Sequence, residues 1–275
     1  MSTLFFSCKK EENTAPQNTS YDYAFLVAGH IYGKPQGESI GFHPPFKDYF
    51  PQIKNTKRME YAFYTGDIVR HNSVLEEWEA TYADMLDLGL DYHVAAGNHD
   101  RGSTFLDYFG SYYYSFMHGS NLFIILNTLH WVIEDEQKAF LEETLADIDD
   151  VSNIFLFSHE VIWWGPDSIF QNIEVNNTGS FSGNSNYWEE ISPVLVATEK
   201  PVYYFSGDVG ATSVASPYAY HHYDNVHLVA SGMGHGTDDN FLIVEVYPNG
   251  SVYINLIALQ GEPDRFGDIR EYELP

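Results

Sequence analysis

Tyr92-His93-Val94-Ala95-Ala96-Gly97-Asn98-His99-Asp100 is the stretch on which the reading of this chain turns. Tyr92 to Ala96 is apolar and strand-like, and it breaks into a polar tetrapeptide opened by glycine. Upstream, Tyr61 to Tyr64 runs in the same way into Gly66-Asp67. An Asp, an Asn and a His are thereby placed on loops beyond the C-terminal ends of neighbouring strands, where α/β proteins build their sites. Carboxylate oxygen, amide oxygen and imidazole nitrogen are ligands for a borderline-hard divalent metal. A Gly-Asp pair alone says little; Gly-Asn-His-Asp after a strand is far rarer.

The same grammar recurs in both directions from that stretch. The apolar run Tyr23 to Val27 leads into Ala28-Gly29-His30. The run Ile154 to Phe157 leads into Ser158-His159-Glu160, and Val202 to Phe205 leads into Gly207-Asp208-Val209-Gly210.

In this order the motifs resemble those of the calcineurin-like metallophosphoesterases: Asp-x-His, Gly-Asp, Gly-Asn-His-Asp/Glu, a lone His, then Gly-His-x-His. The resemblance spans roughly residues 21 to 258. The middle of the pattern is intact. The departures are Ala28 for the opening Asp, Asp208 for the first closing His and Gly210 for the second. The fold the resemblance implies is α/β, mixed α+β, an αββα sandwich of two mixed sheets flanked by helices. It also implies two metals. One would use the opening Asp and His, the Gly-Asp carboxylate and the last His. The other would share that carboxylate and add the Asn, the lone His and the first closing His.

Mapped onto this chain, the second position keeps Asp67, Asn98 and His159, with Asp208 in place of an imidazole. The first keeps only His30 and a share of Asp67. The expected cofactor is one or two divalent ions (Mn, Fe or Zn), with the Asp208 charge favouring a harder ion such as Mn, Mg or Fe over Zn. The resemblance assigns His99 to the leaving group, as general acid or as a steadying charge on the phosphoryl oxygens. Three readings stay open. A single metal persists and works; or Glu38, His43, His71, His221, His222 or His235 rebuild the first position; or the site binds without turnover. The expected function is metal-dependent hydrolysis of a small phosphomonoester or phosphodiester. The alternative is a surface glycan- or protein-binding lipoprotein on a catalytically degraded scaffold.

Composition limits the partners. With 39 acidic residues against 13 Lys plus Arg, the net charge is -26, and such a surface repels the phosphate backbone of nucleic acid polymers. A small phosphorylated substrate is the expected partner. Residues 1 to 20 read as a signal remnant and flexible tether, and 21 to 275 as one domain. Leu4-Phe5-Phe6-Ser7-Cys8 resembles a bacterial lipoprotein cleavage box, although its apolar run is shorter than a normal signal. The expectation is a lipid on Cys8, membrane attachment through it, and a periplasmic or cell-surface (outer membrane) location. Cys8 is the only cysteine, so no intramolecular disulfide can form.

The remaining elements follow from periodicity. Helices are expected over Ser73 to Leu88, Glu134 to Ile148 and Tyr187 to Thr198, the last kinked at Pro193. Paired strands are expected at Tyr112 to Phe116 and Leu122 to Leu126, and a final hairpin at Phe241 to Tyr247 and Val252 to Leu256. Tyr32 to Gln52, with four prolines, reads as a long site-edge loop. Val161 to Asn186, holding Trp163 and Trp164, reads either as a lid whose rings stack on a ligand or as packing against the sheet edge. His93, His118, His130 and His227 read as structural. No Gly-x-Ser-x-Gly elbow follows a strand, and no Walker-type phosphate loop or Rossmann fingerprint is present.

Overall fold

Strands buried on both faces carry continuous apolar runs, because each side chain, up or down, meets a packed layer. The computed structural model, which describes residues 20–165, 169–176, 181 and 183–274, is built on such strands. In chain order the elements are β1 (Tyr23–Ala28), α1 (Pro44–Lys47), α2 (Phe50–Asn55), β2 (Met59–Thr65), α3 (Leu75–Leu88), β3 (Asp91–Ala95) and α4 (Ser103–Phe109). There follow β4 (Tyr114–His118), β5 (Asn121–Ile125), α5 (Asp135–Thr144), β6 (Asn153–Phe157), α6 (Ser192–Val196), β7 (Val202–Ser206), β8 (Tyr218–Tyr223) and β9 (Val226–Ser231). The hairpin β10 (Asn240–Val246) and β11 (Val252–Ala258) and the short β12 (Gly267–Asp268) complete it.

These strands form two six-stranded mixed sheets, ordered β12-β11-β10-β1-β2-β3 and β4-β5-β6-β7-β9-β8. Each has a parallel run: β1 to β2 to β3 at one end of the first, joined to the antiparallel β10, and β5 to β6 to β7 to β9 at the centre of the second. Period-two alternation divides each strand between layers. Phe25, Phe63, Phe123, Phe155, Phe157 and Phe205 face one another between the sheets, with Phe63 stacked on Phe157 at 4.0 Å between ring centroids. Their neighbours Leu26, Ala62 and Tyr64 turn outward to a second apolar layer with Phe42, Phe46, Trp78 and Phe105. On the opposite side Ile124, Ile154, Leu156 and Tyr204 pack with Trp131, Leu141 and Leu195. This is the expected sandwich of two sheets flanked by helices.

Several boundaries differ from the sequence reading. The stretch after β1 is not a plain loop: α1 and α2 lie within it and bury Phe46, Phe50 and Ile53. Ser73 does not cap α3, which begins at Leu75. Instead Glu77, in its first turn, accepts the amides of Arg70 and His71. The β4–β5 hairpin is shifted by two residues at its start and turns at Gly119-Ser120. Around Pro193 the chain opens into a wide helical turn (Tyr187–Ile191) before α6, so the proline sits at the start of a helix, where it costs no hydrogen bond. Trp163 and Trp164 are buried in the outer core, which favours the packing reading over a stacking lid. Among the described residues no helix is long and apolar enough to cross a membrane. Cys8 and the expected tether lie outside the described residues, apart from residue 20.

Candidate metal centre

Parallel strands point their C-terminal ends the same way, so the loops after β1, β2, β3, β6 and β7 meet at one edge of the sandwich. His30 follows β1, Asp67 follows β2, Asn98 and His99 follow β3, His159 follows β6 and Asp208 follows β7. Ligand atoms of Asp67, His159 and Asp208 all lie within 4.8 Å of one another, and all three residues are buried. His159 Nε2 stands 3.3 Å from Asp67 Oδ1, 3.7 Å from Asp208 Oδ1 and 3.2 Å from Asn98 Oδ1. His30 Nε2 is 3.7 Å from the other Asp67 oxygen.

Each imidazole is held by a backbone carbonyl. His159 Nδ1 donates to Thr65 O at 2.9 Å and His30 Nδ1 to Met233 O at 2.9 Å. Fixing the proton on Nδ1 turns the Nε2 lone pair toward the centre, the usual device for orienting a metal-ligating histidine. His99 is fixed likewise, with Nδ1 donating to Arg70 O at 2.6 Å and its backbone amide to Asp67 Oδ1 at 3.1 Å. The motif's last residue, Asp100, accepts the amides of Gly97, Ile68 and Val69. It therefore pins the two loops together rather than facing a substrate.

Glycines allow this closeness. A Cβ at Gly66 would overlap the His159 imidazole, and one at Gly97 would overlap the Asp67 carboxylate and backbone nitrogen. Asp67 (φ 53°) and His30 (φ 51°) sit in the left-handed region, a strain of about 1–3 kcal/mol each that a packed surrounding must hold.

The electrostatics ask for a cation. Burial pushes the Asp208 carboxyl up to about 7, against the pull of His159 and with Asp67 adding to the push. Burial also opposes ionisation of Asp67, but His159 and His30 outweigh it and hold that carboxyl well below its usual range. Burial pulls His30 down to about 4, whereas at His159 the two carboxylates overcome burial and raise it well above its usual value. Both oxygens of Asp208 are buried with no hydrogen-bond partner, an arrangement that costs a protein unless something charged completes it. Three acceptor oxygens around one imidazole lone pair fit a single divalent ion. A second ion does not fit equally well. Ala28 and Gly210 offer no side chain there, and His30 is left with a share of Asp67. None of the residues considered as replacements joins the cluster. Glu38 and His235 are exposed, His43 pairs with Asp239, His71 with Glu77, the His221 ring lies against Phe170, and the His222 ring stacks on His227.

A cavity of about 340 Å³ opens over the centre, lined by His30, Tyr32, Asp67, Arg70, His71, Asn98, His99, Asn176 and Asp208, with Pro35, Ala211 and Thr212. Tyr32 lies between His30 and His99, at 4.3 and 5.3 Å from their rings. Sequence reasoning passed over Tyr32 and Arg70. The available signal was position: Arg70 comes three residues after Asp67 on the same loop. It also passed over Glu160, which is held by Arg101 at 2.8 and 2.9 Å and by Thr128 at 2.6 Å and so braces the loop carrying His159.

The calcineurin-like phosphoesterase family model matches residues 25–235. The chain belongs to this family. It is similar to two Arabidopsis thaliana proteins named probable inactive purple acid phosphatase 27 and 24, at 25% and 24% identity over 155 residues. Each alignment covers 43% of this chain and 25% of the relative, so the chain spans about a quarter of the length of these relatives. Its fold is that of a purple acid phosphatase, PPD1, from yellow lupin (Lupinus luteus) seeds. The TM-score is 0.62 at 16% identity, covering 89% of this chain and 52% of that one. As a calcineurin-like phosphoesterase, the chain brings its motif residues together at one sheet edge and departs from the motif pattern at Ala28, Asp208 and Gly210.

Proposed function

We propose that this phosphoesterase hydrolyses a small phosphorylated compound with one divalent ion. The observation that carries the reading is the convergence of Asp67, Asn98, His159 and an unpartnered Asp208 beneath a cavity that also holds His99. Those four residues would hold the ion, which when bound supplies Lewis acidity and lowers the pKa of a coordinated water. The oxygen-rich donor set favours Mn, Mg or Fe. The protein's own residues do the rest. Asp67 orients the His99 backbone, and the Arg70 carbonyl accepts from His99 Nδ1; the imidazolium form would carry a second proton on Nε2, give it to the departing oxygen, and be left as the neutral Nδ1–H ring. Tyr32 walls the site between His30 and His99. A cavity of about 340 Å³ suits a small ester, and the -26 charge disfavours nucleic acid polymers. The motif around Cys8 supports lipid attachment and a periplasmic or cell-surface place of work.

A second reading has its own observation. Ala28 and Gly210 remove two ligands of the family's first ion, and the relatives are named as probably inactive. On that reading the site binds without turnover. Metal content and hydrolysis of an activated aryl phosphate with Mn²⁺ separate the two. The enzyme takes up about one equivalent and turns over. A binding protein shows no activity above its Asp67→Ala variant across several divalent metals.

A further inference from the structure

We propose that Arg70 reads the second negative charge of a phosphomonoester and makes this site prefer monoesters to diesters. The inference rests on the single-ion reading above and takes it further by charge balance. One divalent ion between the carboxylates of Asp67 and Asp208 is formally neutralised by them, so the centre keeps little net attraction for an incoming dianion. Arg70 is the one permanently cationic side chain among the described residues that line the cavity. In a chain with 39 acidic residues and 13 basic ones, no carboxylate pairs with its guanidinium among the described residues, whereas Arg58, Arg101, Arg265 and Arg270 all have acidic partners.

The group is also held ready. Glu77 Oε2 accepts the Arg70 and His71 amides, both at 2.8 Å. The guanidinium carbon lies 5.3 Å from the centre of the Tyr32 ring, a cation–π distance. Nη1 and Nη2 donate to the carbonyls of Ser39 and Lys34 at 3.3 and 3.2 Å. Those acceptors are neutral, so the charge is not spent, and a guanidinium has further donors for phosphoryl oxygens. The Arg70 carbonyl holds His99, which places the charge-reading side chain and the proton donor on one short segment.

The test uses the full chain loaded with Mn²⁺ and titrated by calorimetry at pH 8, where inorganic phosphate is mainly a dianion. Dimethyl phosphate, a diester monoanion, is the second probe. The wild type should bind phosphate the tighter. Arg70→Ala should weaken phosphate about 10- to 100-fold, the range of one charge-assisted hydrogen-bonding group, and should move dimethyl phosphate far less. Arg70→Gln keeps a donor for the Lys34 or Ser39 carbonyl but no charge, and should follow the alanine variant; Arg70→Lys should recover part of the loss. Equal losses on both probes, or none, overturn the proposal and leave Arg70 as a strap for residues 34–39. Mn²⁺ uptake is measured on the same samples. If the wild type takes up no metal, the single-ion reading fails, and phosphate titrated into metal-free wild type and Arg70→Ala still decides the point. A charge effect must survive there, and identical or absent binding refutes it.

Discussion

Replacing Asp208 by Asn should stabilise the metal-free protein at neutral pH while destroying its affinity for metal. The carboxyl is buried without a hydrogen bond at either oxygen, His159 Nε2 stands 3.7 Å away, and burial with Asp67 nearby pushes its pKa up to about 7 from 3.8 against the pull of His159. The sign follows from linkage. Below pH 3.8 the group is protonated in both folded and unfolded chains and costs nothing. As pH rises toward 7 the unfolded chain ionises first, so stability is lost across that window, and above it the loss is complete. At ~1.4 kcal/mol for each tenfold step the loss is on the order of 4 kcal/mol, an upper bound because relaxation and water entry reduce it. Asn keeps the shape and removes the charge. In chelator at pH 8, urea unfolding should find Asp208→Asn more stable by about 2–4 kcal/mol, and at pH 4 the difference should shrink toward zero.

Added Mn²⁺ should reverse the order. Binding at a hundred times the dissociation constant stabilises the wild type by about 2.7 kcal/mol, and the variant, short of one carboxylate ligand, gains less. A variant that is equally stable or weaker in chelator at pH 8 would refute the claim that this carboxyl is held in place at the expense of folding. Loss of the pH dependence would do the same.

Other outcomes follow from the same geometry. Asp67→Ala should abolish turnover of an aryl phosphate and Mn²⁺ uptake together, while His99→Ala should lower turnover roughly 10²- to 10⁴-fold with metal retained, most strongly for poor leaving groups; steady-state kinetics beside metal analysis checks both. Gly97→Ala, whose methyl would press on the Asp67 carboxylate and backbone nitrogen, should weaken metal binding more than Gly119→Ala, a turn position with nothing nearby. Burial pulls His227 down to about 3, so its contribution is lost as pH falls below its unfolded value near 6.5, and His227→Phe should flatten acid unfolding between pH 6 and 4. Cys8→Ser in the native host should move the protein from the membrane to the soluble fraction; unchanged fractionation with an intact Met1 by mass spectrometry excludes a lipid there.

The legibility of this chain differs between its elements for physical reasons. Strands β1, β2, β3, β6 and β7 announce themselves because burial on both faces demands unbroken apolar runs, and each ends on a glycine-containing or polar loop that bears site residues. Helix ends were less legible. Ser73 looks like a cap, but α3 has no side-chain cap, and Glu77 in its first turn instead accepts the amides of Arg70 and His71 in the preceding loop. The segment after His30 reads as loop because of its prolines, although Pro44 and Pro51 fall in first turns, where they suit helices. At the site, the convergence of Asp67, Asn98, His159 and Asp208 follows the motif order. The carbonyls of Thr65, Met233 and Arg70 that fix the imidazoles were not legible, since any residue type supplies a carbonyl. Arg70 was hidden for another reason: its meaning lies in lacking an acidic partner, a property of the fold and not of the sequence.

The departures from the family pattern are also not independent of one another. Gly210 adopts φ 77°, and a Cβ there would meet the backbone of Gly232 and Met233. Restoring a histidine at that position would require a left-handed backbone for a bulky residue and displacement of the neighbouring loop. Ala28, fully buried, packs in the apolar layer of Ile31, Phe42 and Tyr64, where an aspartate would be a charge without a partner unless the first ion came with it. Single reversions at either position therefore cost stability with no metal gained. By contrast, Asp208 adds a carboxylate to the position that keeps its other ligands, and so brings the formal charge of that ligand set to balance one divalent ion. On the proposed reading the first position is closed by backbone packing and the second would be completed by charge. On the proposed single-ion reading, Arg70 supplies the positive charge that a second ion would have brought, and all three substitutions make physical sense together.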